Sequence, residues 1–416
     1  MKYVVMLTKK YPFENGEEFI ENEIKYLATQ YDRIFILSCA AGESAKMTRE
    51  IPANVSAYRC GDYEGKFKYF YYVLNSFKTR KDEILANEIA KEKDVLRKLA
   101  TLYYYTKFCA ELQRCRKIVN ELKIDRNDEV LLYSYWFVET AQIAICIKKE
   151  LESKCGKIRA VSRAHGYDLY EERNRLGFIP FRKFCLAEID AVFCCSQNGQ
   201  EYLKEMYPKY SDKIKVSYLG TRDHGTSDVV DRENHIIVTC SSLIPLKRVG
   251  IVAESICLLV EKGITNIKWI CIGTGEEETS IKKRIAEGKA EQYVEFKGRM
   301  SNLEVLDFYC RNSISLFLNT SDKEGLPVAI MEAISFGIPA FATDVGGTKE
   351  IVKDGITGKL LGKDISPKHL SEEIEWFINL DTNERESMRK TARAFWRENF
   401  VAENNYRNFL REIELL

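Results

Sequence analysis

Glu324 and Glu332 stand eight positions apart in SDKEGLPVAIMEAISFGIPAFATDVGG, the stretch from Ser321 to Gly347. Between them lie Gly325, Leu326, Pro327 and Val328, then a row of small and aliphatic residues. An ionised carboxylate accepts hydrogen bonds and donates none, so the pair suits a molecule with hydroxyl groups at both ends. The preceding ISLFLNTS reads as a strand, and Pro327 suits the first helical position, where its missing N–H would be unpaired anyway. Ile330, Ala333, Ile334 and Gly337 follow the spacing of a buried helical face, with Glu332 off that stripe on the side of Val328. The unpaired amides of residues 325–328 at such a helix start attract anions, phosphate above all. Two acids around a phosphate cradle match ribose, diphosphate and hexose, the layout of a nucleotide sugar. By spacing alone, one capping glutamate and one exposed glutamate are the simpler account, so the flanking motifs must decide.

The elements that would carry these residues alternate strand and helix. YVVMLT, RIFILSC, EVLLYSY, AVSRAHG and AVFCCS are short apolar strands separated by helical stretches, the first of these from Glu17 to Tyr31. RDHGTSDVVDREN, residues 222–234, is polar and turn-rich, and reads as a linker. HIIVTCSSL, IKWICIG, YVEFKG, ISLFLN and IPAFAT then repeat the scheme. Continuous apolar runs between helices indicate parallel sheets covered on both faces. The boundaries expected are 1–222 for a first, acceptor-binding domain and 235–396 for a second, donor-binding domain. A tail at 397–416, read as one long helix, crosses back to the first.

Composition agrees with two or three globular domains: 416 residues, 45% hydrophobic, 12% aromatic. A net charge of +1 gives no general drive toward nucleic acid. The thirteen cysteines lack paired short spacing, so reduced thiols and a cytoplasmic location are expected, with no metal site. The first residues do not read as a signal peptide. No apolar run approaches the roughly 20 residues that a membrane span needs. One segment, 64–123, is mostly helical and carries fourteen Lys/Arg against eight Asp/Glu. It reads either as a solvated elaboration of the first domain or as a basic, aromatic surface for the inner face of an anionic membrane.

The stretch EGLPVAIMEAISFGIPAFATDVGGTKEIVKDGITGKLL resembles the donor-site signature of family 4 glycosyltransferases. WICIGTGEEE, FKGRMSNLEVLDFY, YPFENGEEFIENEI, SRAHGYDLYEER and SYLGT extend the likeness toward members that build bacterial cell-surface polysaccharides. The resemblance implies an α/β GT-B fold, two Rossmann-like doubly wound domains facing a central cleft, and a retaining sugar transfer. It implies that Glu324 binds the transferred sugar, Glu332 the ribose, and the amides from Leu326 to Val328 the distal phosphate.

In SSLIPLKRV, Lys247 falls on the family's phosphate-binding lysine. Ser242 replaces the arginine usual five residues earlier, which leaves Arg248 as a substitute. KGRM, with Gly298 and Arg299, falls where the base is held; UDP and GDP both remain open. His165 in RAHG is placed near the donor sugar, and Gly16 lets backbone approach the ligand. Glu17 is either a first-turn helix acid or an acceptor contact, as is Glu21; Arg163 is either a charge near the phosphates and acceptor or a structural ion pair. The partners implied are a nucleotide sugar and a saccharide or lipid-linked saccharide. No DxD motif occurs, so neither metal nor other cofactor is expected. A sugar-nucleotide 2-epimerase of the same fold and a non-catalytic nucleotide-sugar-binding scaffold are the competing readings.

Overall fold

The computed structural model describes residues 1–61, 83–226 and 234–416. The chain divides into two compact units, Met1–Tyr218 with Tyr406–Leu416, and Leu219–Asn405.

The first unit is built on seven parallel strands: β1 (Lys2–Thr8), β2 (Arg33–Ser38), β3 (Val55–Arg59), β4 (Glu129–Ser134), β5 (Lys157–Ala164), β6 (Ala191–Cys194) and β7 (Ile214–Val216). Their order is β3-β2-β1-β4-β5-β6-β7. Alternation along β1 sends Tyr3, Val5 and Leu7 into one apolar cluster and Val4 and Met6 into another. Both faces are therefore core, which is why YVVMLT carries no polar alternation. The second unit repeats the plan with β8 (His235–Cys240), β9 (Ile267–Ile272), β10 (Val294–Gly298), β11 (Ile314–Asn319), β12 (Ala340–Thr343) and β13 (Gly358–Leu361). Its order is β10-β9-β8-β11-β12-β13. Each order reverses once, between β1 and β4 in one sheet and between β8 and β11 in the other. At such a reversal the loops leaving neighbouring strands diverge and open a crevice.

Two expectations about elements are corrected. The first helix starts at Ile20, not Glu17, because Glu17 adopts a left-handed backbone (φ 60°) and its side chain is used elsewhere. The tail is two helices, Thr382–Asn399 and Ala402–Glu414. Between them Phe400 O accepts from Thr221 N, and Ala402 N donates to Thr221 O, a bridge that interrupts the helical ladder. Of the basic segment 64–123, residues 62–82 lie outside the described residues, as do 227–233 of the linker. The remainder of the segment forms helices Glu83–Lys91 and Val95–Glu121.

Arg163 is also corrected as an acceptor contact. Its side chain is fully buried. Nε lies 3.0 Å from Glu23 Oε2 and donates to the Tyr133 hydroxyl, and Nη1 donates to Ser217 O at 2.8 Å. The guanidinium sits 4.1 Å from the ring centre of Phe409. A charge sealed in this way holds the unit together and meets no ligand; the ion-pair expectation is the one the structure supports. Breaking a buried pair strands the other charge, so Arg163→Ala should cost ~3–5 kcal/mol in denaturant unfolding. A variant as stable as the native protein would contradict this account.

Candidate functional site

In the second unit the reversal of strand order is occupied by the loops after β8 and β11. The β8 loop closes in a short 3₁₀ turn, Pro245–Lys247, and the β11 loop runs from Thr320 into the helix Val328–Ser335. The two are sewn together. Asp322 N donates to Leu246 O, and Thr320 Oγ1 donates to the carbonyls of Lys247 and Arg248. Arg248 returns the contact, giving Nε to Thr320 O and Nη2 to Ser321 O and Lys363 O. Three of its donors thus brace the loops, and Nη1 keeps two N–H groups to offer.

Lys247 Nζ meets Glu324 Oε1 at 2.6 Å. The same oxygen accepts from Ser321 Oγ at 2.6 Å and Asn319 Nδ2 at 3.4 Å, so the carboxylate is oriented from three sides and nearly buried. Gly346 permits this packing: its φ is 56°, and a Cβ there would fall 1.9 Å from Glu324 O.

Pro327 is the residue before the helix rather than its first turn, with an extended backbone at ψ 101°. No side chain caps this helix, and among the described residues the amides of Gly325, Leu326 and Val328 donate to no protein group. These amides and the positive end of the helix form an anion cradle beside the lysine.

Glu332 departs from the expectation of a site off the core stripe. The helix is buried all round from Ile330 onward, and Glu332 is 9% exposed. Asn302 Nδ2 donates to its Oε1 at 2.6 Å. Burial pushes its pKa up to about 7, against the opposing effect of that hydrogen bond. Ser242 is exposed in the β8 loop. Gly298 ends β10 with φ 67°, and Arg299 beyond it is exposed.

Gly16, Glu17, Arg163 and His165 belong to the first unit. Gly16 has φ 101° and open space where a Cβ would stand. Glu17 is corrected as an acceptor contact, because all its capacity is used. Oε1 accepts from Lys9 N and Trp136 Nε1, and Oε2 from Lys10 N and Tyr11 N. Glu21 is a first-turn helix acid, paired with Arg49 at 3.0 Å. His165 is 9% exposed, and neither ring nitrogen has a hydrogen-bond partner. Its backbone is held by Asp168, whose Oδ1 accepts from the amides of His165 and Gly166 and whose Oδ2 accepts from Phe137 N. Burial pushes the Asp168 carboxyl up, but His165 and these amides hold it below its ordinary range.

Asp168, Asn302, Asn319 and Ser321 were missed by sequence reasoning. The signals available were short ones: an acid three places after His165, and polar residues at the exit of β11.

Two parallel sheets flanked by helices, each with its loops gathered at one reversal of strand order, define the GT-B class of α/β protein. Residues 222–395 match the family described as Glycosyl transferases group 1. The chain is 25% identical over 192 residues to the UDP-N-acetylglucosamine--peptide N-acetylglucosaminyltransferase GtfA subunit of Streptococcus pneumoniae, covering 45% of this chain and 37% of that protein. It is 29% identical over 128 residues to the amylovoran biosynthesis glycosyltransferase AmsK of Erwinia amylovora, 30% of this chain and 31% of the relative. The chain therefore spans about a third of the length of these curated relatives. The solved structure of Anabaena Alr3699/HepE in complex with UDP superposes with a TM-score of 0.66 at 16% identity, covering 100% of both chains. That likeness is one of fold.

The buried Glu332 carries a pH signature. Its folded-state pKa of about 7 exceeds an unfolded value of roughly 4.3. Between those values the folded protein holds the extra proton, so stability falls as pH rises through that window. Glu332→Gln removes the effect, and the variant's melting temperature should gain on the native protein's from pH 5 to pH 8. Melting curves that stay parallel across that range would rule the assignment out.

Proposed function

We propose that the protein is a retaining glycosyltransferase that moves a hexosyl-type sugar from a UDP- or GDP-linked donor to a hydroxyl of a saccharide or lipid-linked saccharide. The observation that carries this reading is the Lys247–Glu324 pair, held at the reversal of strand order beside an uncapped helix start. A lysine and free amides suit the diphosphate, and a fixed carboxylate suits the hydroxyls of the sugar. The names of GtfA and AmsK, and the UDP bound to HepE, support a nucleotide-sugar donor and a place in surface-polysaccharide assembly.

In this mechanism the bond between the anomeric carbon and the diphosphate oxygen breaks as the acceptor oxygen bonds to the same face. The leaving phosphate takes the acceptor's proton. Lys247 and the amides of Leu326 and Val328 meet the negative charge where it develops. Glu324 orients the sugar, Glu332 receives the ribose hydroxyls, and His165 stands near the donor sugar. These groups supply the charge stabilisation, and the proposal assigns no role to a metal.

Peripheral contact with an anionic membrane is part of the same reading. No described helix is long and apolar enough to cross a membrane. The helix Val95–Glu121 opens with Val95, Leu96 and Leu99 at 68%, 62% and 58% exposure, among Lys93, Arg97 and Lys98. Apolar side chains ringed by cations are what an anionic interface binds.

A thermal-shift panel of nucleotide sugars tests the donor assignment, since a ligand of the folded state raises its melting point. Glu324→Gln should lower transfer by about 10²- to 10³-fold while the protein stays folded. Lys247→Ala should weaken UDP or GDP binding by at least about tenfold. Unchanged nucleotide affinity in that variant would falsify the phosphate assignment. UDP-sugars incubated alone provide a further check: an epimerised sugar formed without acceptor would establish the epimerase instead. Flotation with anionic liposomes should be lost in Leu96→Ser/Leu99→Ser; native protein that stays at the bottom argues against membrane contact.

A further inference from the structure

The first sheet reverses its strand order between β1 and β4, and side chains from three loops gather there. Lys9 follows β1, Tyr135 and Trp136 follow β4, and His165 and Tyr167 follow β5. Their rings form a column. Tyr135 and Trp136 each lie 4.8 Å from the ring of His165, and Trp136 lies 4.9 Å from Tyr167. The column runs from the buried Tyr135 to Tyr167, which is 36% exposed. The Lys9 ammonium stands 4.5 Å from the Tyr167 ring centre.

This arrangement is built rather than incidental. Glu17 bridges the β1 and β4 loops, binding the amides of Lys9, Lys10 and Tyr11 with one side of the crevice and the Trp136 indole with the other. The nearby carboxylates are already served. Lys107 takes Glu139 and lies 3.4 Å from Glu111. Among the described residues, Lys9 makes no close ion pair; Glu139 and Glu111 act on it at longer range, and its direct contact is an aromatic ring, a weaker partner for a cation than a bound carboxylate or phosphate. His165, nine-tenths buried, turns Nδ1 toward Asp168 Oδ2 at 3.6 Å, while its Nε2 has no hydrogen-bond partner and leaves the crevice with polar capacity still to be filled.

We propose that Trp136, Tyr167 and Lys9 form the acceptor subsite, where the aromatic rings stack on the C–H face of a pyranose and the Lys9 ammonium takes an anionic group on that sugar. The inference rests on the transferase reading above. It makes the preferred acceptor a saccharide carrying a carboxylate or a phosphate. The cation then leaves Tyr167 for the ligand, and the exposed ring is freed to stack.

The test uses the full-length chain with UDP present, titrated calorimetrically with methyl glucoside, methyl glucuronoside and methyl glucoside 6-phosphate. Both anionic probes should bind at least about tenfold tighter than the neutral one, the factor given by one charge-assisted contact. Lys9→Gln should erase that preference, and Tyr167→Ala should weaken all three probes by about tenfold. The stronger of the two anionic probes identifies the carboxylate or the phosphate as the natural group. Equal binding of charged and neutral probes, no binding of any, or a Tyr167→Ala protein that behaves as native overturns the proposal. UDP and GDP affinity, read on the same protein, separates the two failures. A native protein that binds neither UDP nor GDP sinks the transferase reading, whereas intact nucleotide binding without sugar discrimination sinks only this one.

Discussion

The contact between Lys247 and Glu324 depends on a constraint of parallel sheets. Two neighbouring strands whose connections leave in opposite directions cannot fill the space above their ends with their own loops. At β8 and β11 that space holds a cation and a carboxylate 2.6 Å apart, on two loops bonded to each other. The pair is partly shielded from water, so the attraction is stronger than for an exposed pair, and three further donors and carbonyl contacts keep the loops from collapsing onto it. The ion pair holds the crevice in an oriented, nearly neutral state, and both partners can turn to a ligand that brings phosphate and hydroxyl groups.

The same constraint operates in the first sheet, where it is met differently. There the acid, Glu17, is neutralised by backbone amides and an indole, and its burial turns it into a strut between two loops. What remains on the surface of that crevice is aromatic and basic. Two equivalent positions in two similar sheets therefore offer different chemistry: one suited to a phosphate-linked sugar, the other to a sugar face with a charged group.

Several charged residues are committed to the scaffold. Arg163 and Glu23 neutralise one another beneath Phe409, Arg248 binds three carbonyls, and Asp168 binds three amides. Each would pass for a functional residue in a motif. For Arg163, Glu23 and Asp168 burial shows otherwise; Arg248 is half-buried and keeps Nη1 to offer. Glu332 lies between the two groups, buried enough to hold a proton near neutral pH yet bonded on one oxygen by a single amide.

The apolar runs sufficed to place ten of the thirteen strands among the described residues, because a strand buried on both faces must be apolar throughout. β3, β7 and β13 escaped notice: they are five, three and four residues long and close to the sheet edges, so their composition carries little pattern. The glycine and proline around Glu324, and the lysine after β8, were legible as an anion site because local backbone geometry creates it. What only the tertiary structure decided was which charges stay available. The burial of Arg163, the Trp136 indole on Glu17 and the Asn302 amide on Glu332 all come from residues distant in sequence. A side chain's solvent and hydrogen-bond partners are properties of the packed neighbours, and no local pattern encodes them.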